Sequence, residues 1–555
     1  MQLEDMLPPE EHRPALLYTL PELHFPPTLN LIDWMLDRHI DGGRASTPAL
    51  FFYPADGSAR VDVTYGELQA RTRAIAAGLT RLGVGQGDRV LVGIREHADA
   101  AATVIACFAI GAVAVPFSTL SRTREIGFFL EDNEPAVAVV DEKLLDQVAP
   151  LVDAAVCHWV LWGAAIGGFM PFEELSSDAS GYEPATTSRD DFAIVFYTAG
   201  TTGRSKPTAH THRGLLASGL LQNKYNFCYE DGSEPRPVVT VMGPIGHAFG
   251  WLGKVLHPLV AGGTSVLMEA IGPEPLHRAL KECNLTDLEG SAPVFKRFLL
   301  DEPHDIDLKA TGIQRLFSLM HDETTDRRLE EAFGLPPQNV FGMAPLGAIV
   351  TWAKPGTPFG SCGLPMPGYE FAVVPVVGDQ QFLPGGLVNE VPTGEIGRLA
   401  LRGPTGITYF NRAELAAEEV VRGWTILDDL FLRDEFGYLW FRGRVSGIIK
   451  TSGYSVAPVE VEEVLDGHPA VWRAAVIGIP DADRGELIKA IVQLNEGHGG
   501  SNELVAELQQ LVRDSLTPYK YPRVVEFIDV LPMDPTGKIP YGELRKREEE
   551  LRAGH

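Results

Sequence analysis

The chain has 555 residues, 45% of them apolar, which is enough for more than one core. Lys and Arg number 47 against 74 Asp and Glu, a formal charge of −27. A surface that acidic repels nucleic acid and anionic membrane, so neither is an expected partner.

Five widely spaced cysteines (Cys107, Cys157, Cys228, Cys283, Cys362) show no CxxC and no metal-ligand spacing. A reduced, cytoplasmic protein without a disulfide framework is expected. The opening MQLEDMLPPEE is acidic and proline-bearing, unlike a signal peptide. Leu29, Leu31, Ile32, Trp34 and Met35 form an amphipathic pattern that predicts a docked helix. Thr64 caps a predicted helix in TYGELQARTRAIAAGL, a Gly-rich turn follows, and strands are predicted from Arg89 and over 136–140. This alternation predicts parallel sheets covered by helices. Residues 100–117 carry no charge, at the lower length bound for a membrane span. Gly111 and Pro116 punctuate the run, so a buried helix followed by a core strand is predicted instead.

Residues 192–196 read as a buried strand, and a helical pattern begins near Leu215. Between them FYTAGTTGRSKPTAHTH (196–212) holds Gly200, Gly203, the hydroxyls of Thr198, Thr201, Thr202 and Ser205, and Lys206. Glycines admit close backbone approach, hydroxyls and N–H groups donate to phosphate oxygens, and Lys adds a point charge. The stretch therefore predicts a phosphate cradle in a strand–loop–helix context, although its spacing is not GxxxxGK[ST].

The loop resembles the signature of the adenylate-forming superfamily (acyl-CoA ligases, peptide-synthetase adenylation domains, luciferases), usually close to YTSGTTGxPKG. Ala199, Ser205 and Pro207 replace its serine, proline and glycine. In VTVMGPIGHAFG (239–250), Pro244 and His247 fall on the superfamily's PxxH motif, which implies a histidine that lines and gates the acyl pocket. Gly243, Gly246 and Gly250 around it are expected to leave room for a bulky acid. In LFSLMHDE (316–323), Leu319, Met320 and His321 stand at or near the Gly-Gly-Ala turn that normally borders adenine. NVFGMAPLG (339–347) resembles the motif YGxTE: Phe341 and Gly342 keep the AMP-side positions. The threonine that donates to the α-phosphate is Ala344, and the glutamate that holds magnesium is Pro345. Alanine has no side-chain donor and proline no carboxylate, so neither can do that chemistry.

TGEIGRLALRG (393–403) reads as a hairpin-like strand pair. WTILDDLFLRDEFGYLWFRGR resembles the superfamily's WxxTGD…GR, which implies that Asp429 binds the ribose hydroxyls beside Arg444. Ser446 occupies the pivot position, implying a hinge between residues 1–445 and 446–555. Lys450, Ser452 and Gly453 lie in the stretch that would line the pantetheine tunnel of CoA after rotation. A C-terminal α+β segment carries predicted strands at 474–478 and 490–494. Lys538 matches the catalytic lysine that binds carboxylate and α-phosphate oxygens. LPELHFPPTLNLIDWMLDRH and KPTAHTHRG look most like aryl-CoA ligases of the benzoate and 2-aminobenzoate type.

The fold so implied is α/β: a large N-terminal domain of stacked mixed and parallel sheets with helices, then a small mobile α+β domain. The implied reaction joins a small carboxylic acid to CoA through acyl-AMP. Adenylation needs donors and Mg2+ to let a carboxylate approach the polyanion ATP, whereas thioesterification needs chiefly a positioned thiol. With Ala344 and Pro345 in place, adenylation is expected to be weak or lost, with preformed acyl-AMP supplied by a separate adenylating enzyme. A complete two-step ligase using ATP and Mg2+, with Asp428 or Asp322 as substitute carboxylates, is the alternative. A non-catalytic adenylate-binding protein, or loading of a carrier-protein thiol, also stays open.

Overall fold

Valine- and alanine-rich runs without polar alternation suit central strands of parallel sheets, which are buried on both faces. The computed structural model describes residues 7–152, 158–198, 206–229, 236–300, 305–319, 323–354, 356–377, 380–384, 386–451, 454–481, 484–516, 518–534 and 538–553. β1 (Pro48–Tyr53) and β2 (Val61–Thr64) lead into α1 (Tyr65–Arg81). Thr64 caps α1 reciprocally: its Oγ1 accepts from Glu67 N–H at 3.2 Å, and Glu67 accepts from Thr64 N–H at 2.8 Å. β3 (Arg89–Gly93), α2 (Ala98–Ala109) and β4 (Val113–Pro116) follow. The uncharged run is thus a buried helix and a wholly buried strand, as its punctuation predicted.

β5 (Val137–Asp141), β6 (His158–Trp162), β7 (Met170–Pro171), β8 (Phe192–Thr198) and β9 (Lys206–Thr211) complete a seven-stranded sheet of order β7-β6-β5-β3-β4-β8-β9. Only β8–β9 pair antiparallel in it. This corrects the expected context of the phosphate-loop stretch. It joins two strands of a hairpin, and α3 (His212–Leu221) begins only after β9. Pairing with β8 holds residues 206–211 extended, ahead of the helix expected near Leu215.

The second sheet uses β10 (Val238–Val241), β11 (Thr264–Met268), β12 (Asp287–Ser291), β13 (Arg315–Leu319) and β14 (Gln338–Asn339), in the order β14-β13-β12-β10-β11-β1-β2. It is parallel except at β1–β2. α4 (Ala248–Trp251) follows β10, and a small hairpin pairs β15 (Gly342–Met343) with β16 (Ala348–Ile349).

An antiparallel sheet then takes β17 (Glu370–Val374), β18 (Ile396–Arg402), β19 (Val420–Val421), β20 (Trp424–Arg433) and β21 (Leu439–Arg444), with α5 (Ala413–Glu419) before β19. The strand pair expected over 393–403 is a single strand: Gly394 turns the chain at φ +87°, and β18 pairs outward with β17 and β20.

The C-terminal part has its own sheet, β22 (Ile449–Thr451), β23 (Tyr454–Val456), β24 (Val471–Asp481), β25 (Gly485–Leu494) and β26 (Val524–Ile528), flanked by α6 (Pro458–Asp466), α7 (Asn502–Ser515) and α8 (Tyr541–Ala553). Val461, Val476, Val492 and Leu508 belong to one apolar core there, and Ile477, Leu531, Ile539 and Leu544 to another. The fold is therefore a large N-terminal domain of mixed and parallel sheets with helices, followed by a smaller α+β domain. No helix among the described residues is long and apolar enough to cross a membrane.

Among the buried ionisable groups of this scaffold, Glu289, Glu462 and the Lys254–Glu96 pair stand out. Glu289 on β12 is 1% exposed, and burial, then Asp287, pushes its carboxyl up to about 8. Glu462 on α6 accepts from Val476 N–H at 2.7 Å and from the Tyr541 hydroxyl at 2.8 Å; burial raises it to about 7. Lys254 is fully buried and pairs with Glu96, which follows β3, at 2.9 Å. The same ammonium donates to the Gly243 carbonyl at 2.8 Å, and Glu96 accepts from Ile245 N–H. A segment after β3 of one sheet and the segment after β10 of the other are therefore fastened to a single buried ion pair.

Removing one member of such a pair strands its partner's charge, at a cost of about 3–5 kcal/mol. Lys254→Ala is expected to lose that much stability in urea unfolding, while Lys254→Met with Glu96→Gln recovers most of it.

Candidate active site

The site assembles where loops leave the carboxyl ends of parallel strands, the place such sheets offer to ligands. β10 ends in the loop carrying Pro244 and His247. His247 N-caps α4, its Nδ1 accepting from Phe249 N–H at 3.2 Å, which leaves the ring proton on Nε2. Burial, then the nearby Lys538 ammonium, lowers its pKa to about 4, against the opposing Asp534. His247 is thus a neutral imidazole at neutral pH.

The three glycines beside it do not open a pocket. A Cβ on Gly246 would lie 2.4 Å from the Phe117 carbonyl oxygen, one on Gly250 2.0 Å from that of Pro244, and one on Gly243 3.0 Å from the Phe249 ring. Their small size serves close packing of the loop on itself and on the residue after β4, which corrects the expectation of space for a bulky acid.

Phe341 sits at the head of the β15–β16 hairpin, half-buried, its ring edge-on to Phe431 at 4.8 Å. Its N–H donates to Thr351 Oγ1 at 2.7 Å. Gly342 allows the hairpin to close, since a Cβ there would meet the Ala348 carbonyl oxygen at 2.6 Å. Ala344 and Pro345 form the short 3-10 turn between the two strands. Gly347, at φ +62°, closes that turn directly over the His210 ring of β9.

Asp429 on β20 and Arg444 on β21 are register partners. Arg444 Nε donates to Asp429 Oδ1 at 3.2 Å. Asp429 is 3% exposed, and burial raises its pKa although Arg444 opposes the shift. Lys538, in the C-terminal domain, stands near enough to this pair to feel both charges. Its residue surface is open to solvent, yet the protein mass around its ammonium, then Arg444, lowers its pKa, with Asp534 and Asp429 opposing. Lys538 N–H donates to Asp534 Oδ1 at 2.9 Å and its carbonyl accepts from Asp534 N–H at 2.8 Å, so the two residues are held together. His247, Asp429, Arg444 and Lys538 thus share one electrostatic neighbourhood, drawn from both domains. A cleft of about 850 Å³ adjoins it, lined by Phe117, Gly246 and Arg297 on one side and by Trp472, Leu531 and Asp534 on the other.

Lys206 opens β9 and is held by a group the sequence reading missed. Its Nζ lies 2.9 Å from Glu419 Oε1, at the end of α5. Tyr409 donates its hydroxyl to Glu419 Oε2 at 2.6 Å. Segment 408–410 runs along β9, with Ala209 N–H on the Thr408 carbonyl and Phe410 N–H on the Pro207 carbonyl. Glu419 is one carboxylate in an acidic chain, and only that pairing could have singled it out.

Gly200, Thr201, Thr202, Gly203 and Ser205 lie outside the described residues, as do Met320, His321, Asp322, Ser452 and Gly453. Thr198, Ser446 and Lys450 are placed by backbone only, at the end of β8, in the 3-10 turn Val445–Gly447 and in β22. Among the described residues, the position expected to hold magnesium supplies no carboxylate. Position 345 offers a buried proline, Asp429 is engaged by Arg444, and Glu419 by Lys206 and Tyr409. No group of three or more acidic, His or Cys side chains suited to a metal occurs among the described residues. Of the two carboxylates expected as substitutes, Asp428 lies half-buried on β20 and Asp322 lies outside the described residues.

Comparison with known proteins agrees with this architecture. Residues 38–409 match the AMP-binding enzyme family, and residues 460–538 match the AMP-binding enzyme C-terminal domain. The chain is 30% identical over 539 residues to benzoate–CoA ligase of Thauera aromatica, covering 95% of this chain and 98% of that protein. The structure of a benzoate CoA ligase from Burkholderia xenovorans LB400 superposes with a TM-score of 0.79 at 26% identity, covering 93% of this chain and all of that one. The anthranilate CoA ligase AuaEII in complex with anthranoyl-AMP shares the fold, with a TM-score of 0.84 at 24% identity over 96% of this chain and all of that one. The chain belongs to the AMP-binding enzyme family, as an acyl-CoA ligase nearest the benzoate–CoA ligase type.

Because burial is the first cause of the low His247 pKa and Lys538 the second, Lys538→Ala is expected to raise it while leaving it below the ordinary 6.5. NMR titration of labelled histidine reads this; a wild-type His247 titrating near 6.5 contradicts the buried, neutral assignment.

Proposed function

We propose that this enzyme joins an aromatic or similarly sized carboxylic acid to CoA through an acyl-adenylate, performing both half-reactions, with adenylation the slower. The convergence of Lys538 on the Asp429–Arg444 pair and His247 is the observation that carries this reading. In the proposed cycle the acyl-AMP ribose lies against Asp429, and adenine packs by Phe341 and Gly342. Lys538 neutralises carboxylate and α-phosphate oxygens in the first step, and neutral His247 borders the acyl group without adding charge. Residues 446–555 then turn about Ser446 and bring Lys450, Ser452 and Gly453 toward the thiol. The arm of CoA uses the interdomain cleft, whose mixed apolar and charged lining suits a long amphipathic chain. Similarity along nearly the whole chain to benzoate–CoA ligase supports the two-step reading.

A second reading, in which adenylation is lost and acyl-AMP comes from a separate adenylating enzyme, is favoured by Ala344, Pro345 and the engagement of Lys206 by Glu419. Losing one electrostatic contact to the transition state commonly costs about 10²–10³ in rate. One experiment separates the two: a panel of aromatic acids with MgATP, and the synthetic acyl-AMPs, each offered with CoA. Slow but measurable pyrophosphate release from acid and MgATP, with faster thioester formation from acyl-AMP, fits the two-step ligase. Turnover of acyl-AMP alone fits the second reading, and no thioester from either leaves only adenylate binding.

Asp429→Ala is expected to weaken AMP binding roughly ten- to hundredfold, the worth of a charge-assisted contact. Unchanged affinity by calorimetry makes Asp429 merely a support for Arg444.

A further inference from the structure

Glu419 has no part in the proposed cycle. It ends α5, is half-buried, and turns its two carboxylate oxygens to different partners: Oε1 to Lys206 Nζ at 2.9 Å and Oε2 to the Tyr409 hydroxyl at 2.6 Å. The Lys206 ammonium also stands over the Tyr409 ring, 5.7 Å from its centre. Both members of the ion pair keep less than a quarter of their side-chain surface, 20% for Lys206 and 17% for Glu419, so water screens the pair only in part. Glu419 is also close enough to Arg444 to raise its pKa, behind the larger effects of Asp429 and then Asp428. The same carboxylate thus acts on two cations of the nucleotide side, one beside the phosphate-loop stretch and one beside Asp429.

We propose that Glu419 is a clamp on Lys206, an internal carboxylate that competes with the polyphosphate of ATP and sets how readily the enzyme enters adenylation. The inference rests on the proposed placement of ATP phosphates at the loop ending in Lys206. An incoming phosphate must displace one charge-assisted bond before it gains another, and it meets the negative charge of Glu419 besides. Acyl-AMP carries a single phosphate and is hindered less. The clamp therefore selects against ATP more than against acyl-AMP, in the same sense as Ala344 and Pro345. The Tyr409 hydroxyl holds the second carboxylate oxygen, so moving Glu419 aside breaks that hydrogen bond as well. An alternative role, Glu419 as the carboxylate that holds magnesium in place of the missing glutamate, predicts the opposite response to substitution.

The test is calorimetric binding of ATP, with and without magnesium, and of a non-hydrolysable acyl-AMP analogue, to Glu419→Gln, Lys206→Met and the double variant. Gln is the same size and can still accept from Tyr409, so folding is expected to hold, and thermal unfolding checks it. Glu419→Gln is expected to bind ATP about tenfold more tightly, the worth of roughly one charge-assisted bond. Binding of the acyl-AMP analogue should change less than threefold, and the ATP gain should vanish when Lys206 is Met. An unchanged or weaker ATP affinity in Glu419→Gln, a gain that survives Lys206→Met, or an equal gain for both ligands overturns the clamp. A loss of ATP affinity seen only with magnesium present assigns Glu419 to the metal instead. Pyrophosphate release from acid and ATP, faster in Glu419→Gln, is read alongside. If no thioester forms with any variant, the proposed function fails while the binding measurements still decide the clamp.

Discussion

The site depends first on one buried ion pair. Glu96 comes from the loop after β3 and Lys254 from the helical turn beyond α4, so the bond between them spans the two large sheets. Its remaining valences are spent on the Pro244–His247 loop, through the Gly243 carbonyl and the Ile245 N–H. A buried charge left without a partner is costly, so both sheets must meet at this point for either to keep its shape. The position of His247 is a consequence of that meeting, and the tight glycines at 243, 246 and 250 let the loop lie close enough to reach it.

Much of this arrangement was legible in the sequence because its causes are local. The Thr64 cap, the buried helix with its strand, and the alternation that gives parallel sheets all follow from periodicity and capping chemistry. Asp429 and Arg444 could be linked only through the resemblance of their stretch to a known motif, and the structure adds that they are register partners. What was not legible depends on pairing across long separations. Residues 206–211 read as an approach to a helix, and only hydrogen bonding to β8 and to segment 408–410 makes them a strand. Glycines at 243, 246 and 250 read as empty space because a sequence shows that a side chain is missing and not what fills the gap. Glu419 was invisible for the same reason, since its meaning comes from a lysine 213 residues earlier.

The nucleotide side of the site carries an unusual balance of charge. In the described residues each cation that could face a phosphate has a carboxylate neighbour: Arg444 has Asp429, Lys206 has Glu419, and Lys538 has Asp534 nearby. A site so compensated attracts a polyanion weakly from afar and relies on contacts made after arrival. An enzyme built this way discriminates by local geometry, which suits an acidic chain that must still accept phosphate.

Glu289 and Glu462 alter the electrostatic account of the whole molecule. The formal charge of −27 counts every carboxyl as ionised, but burial holds these two up to about 8 and about 7, so near neutral pH they carry less than that count assigns them. Both are carboxyls whose folded pKa exceeds the ordinary 4.5, so the folded chain binds protons that the unfolded chain has already released. Their contribution to stability is fully present below the unfolded pKa and is lost as pH rises through 7 and then 8. For these two groups alkalinity, not acid, is the denaturing direction: each takes up a proton as the chain folds, whereas buried histidines such as His212, His247 and His257, whose pKa is lowered by burial, give theirs up.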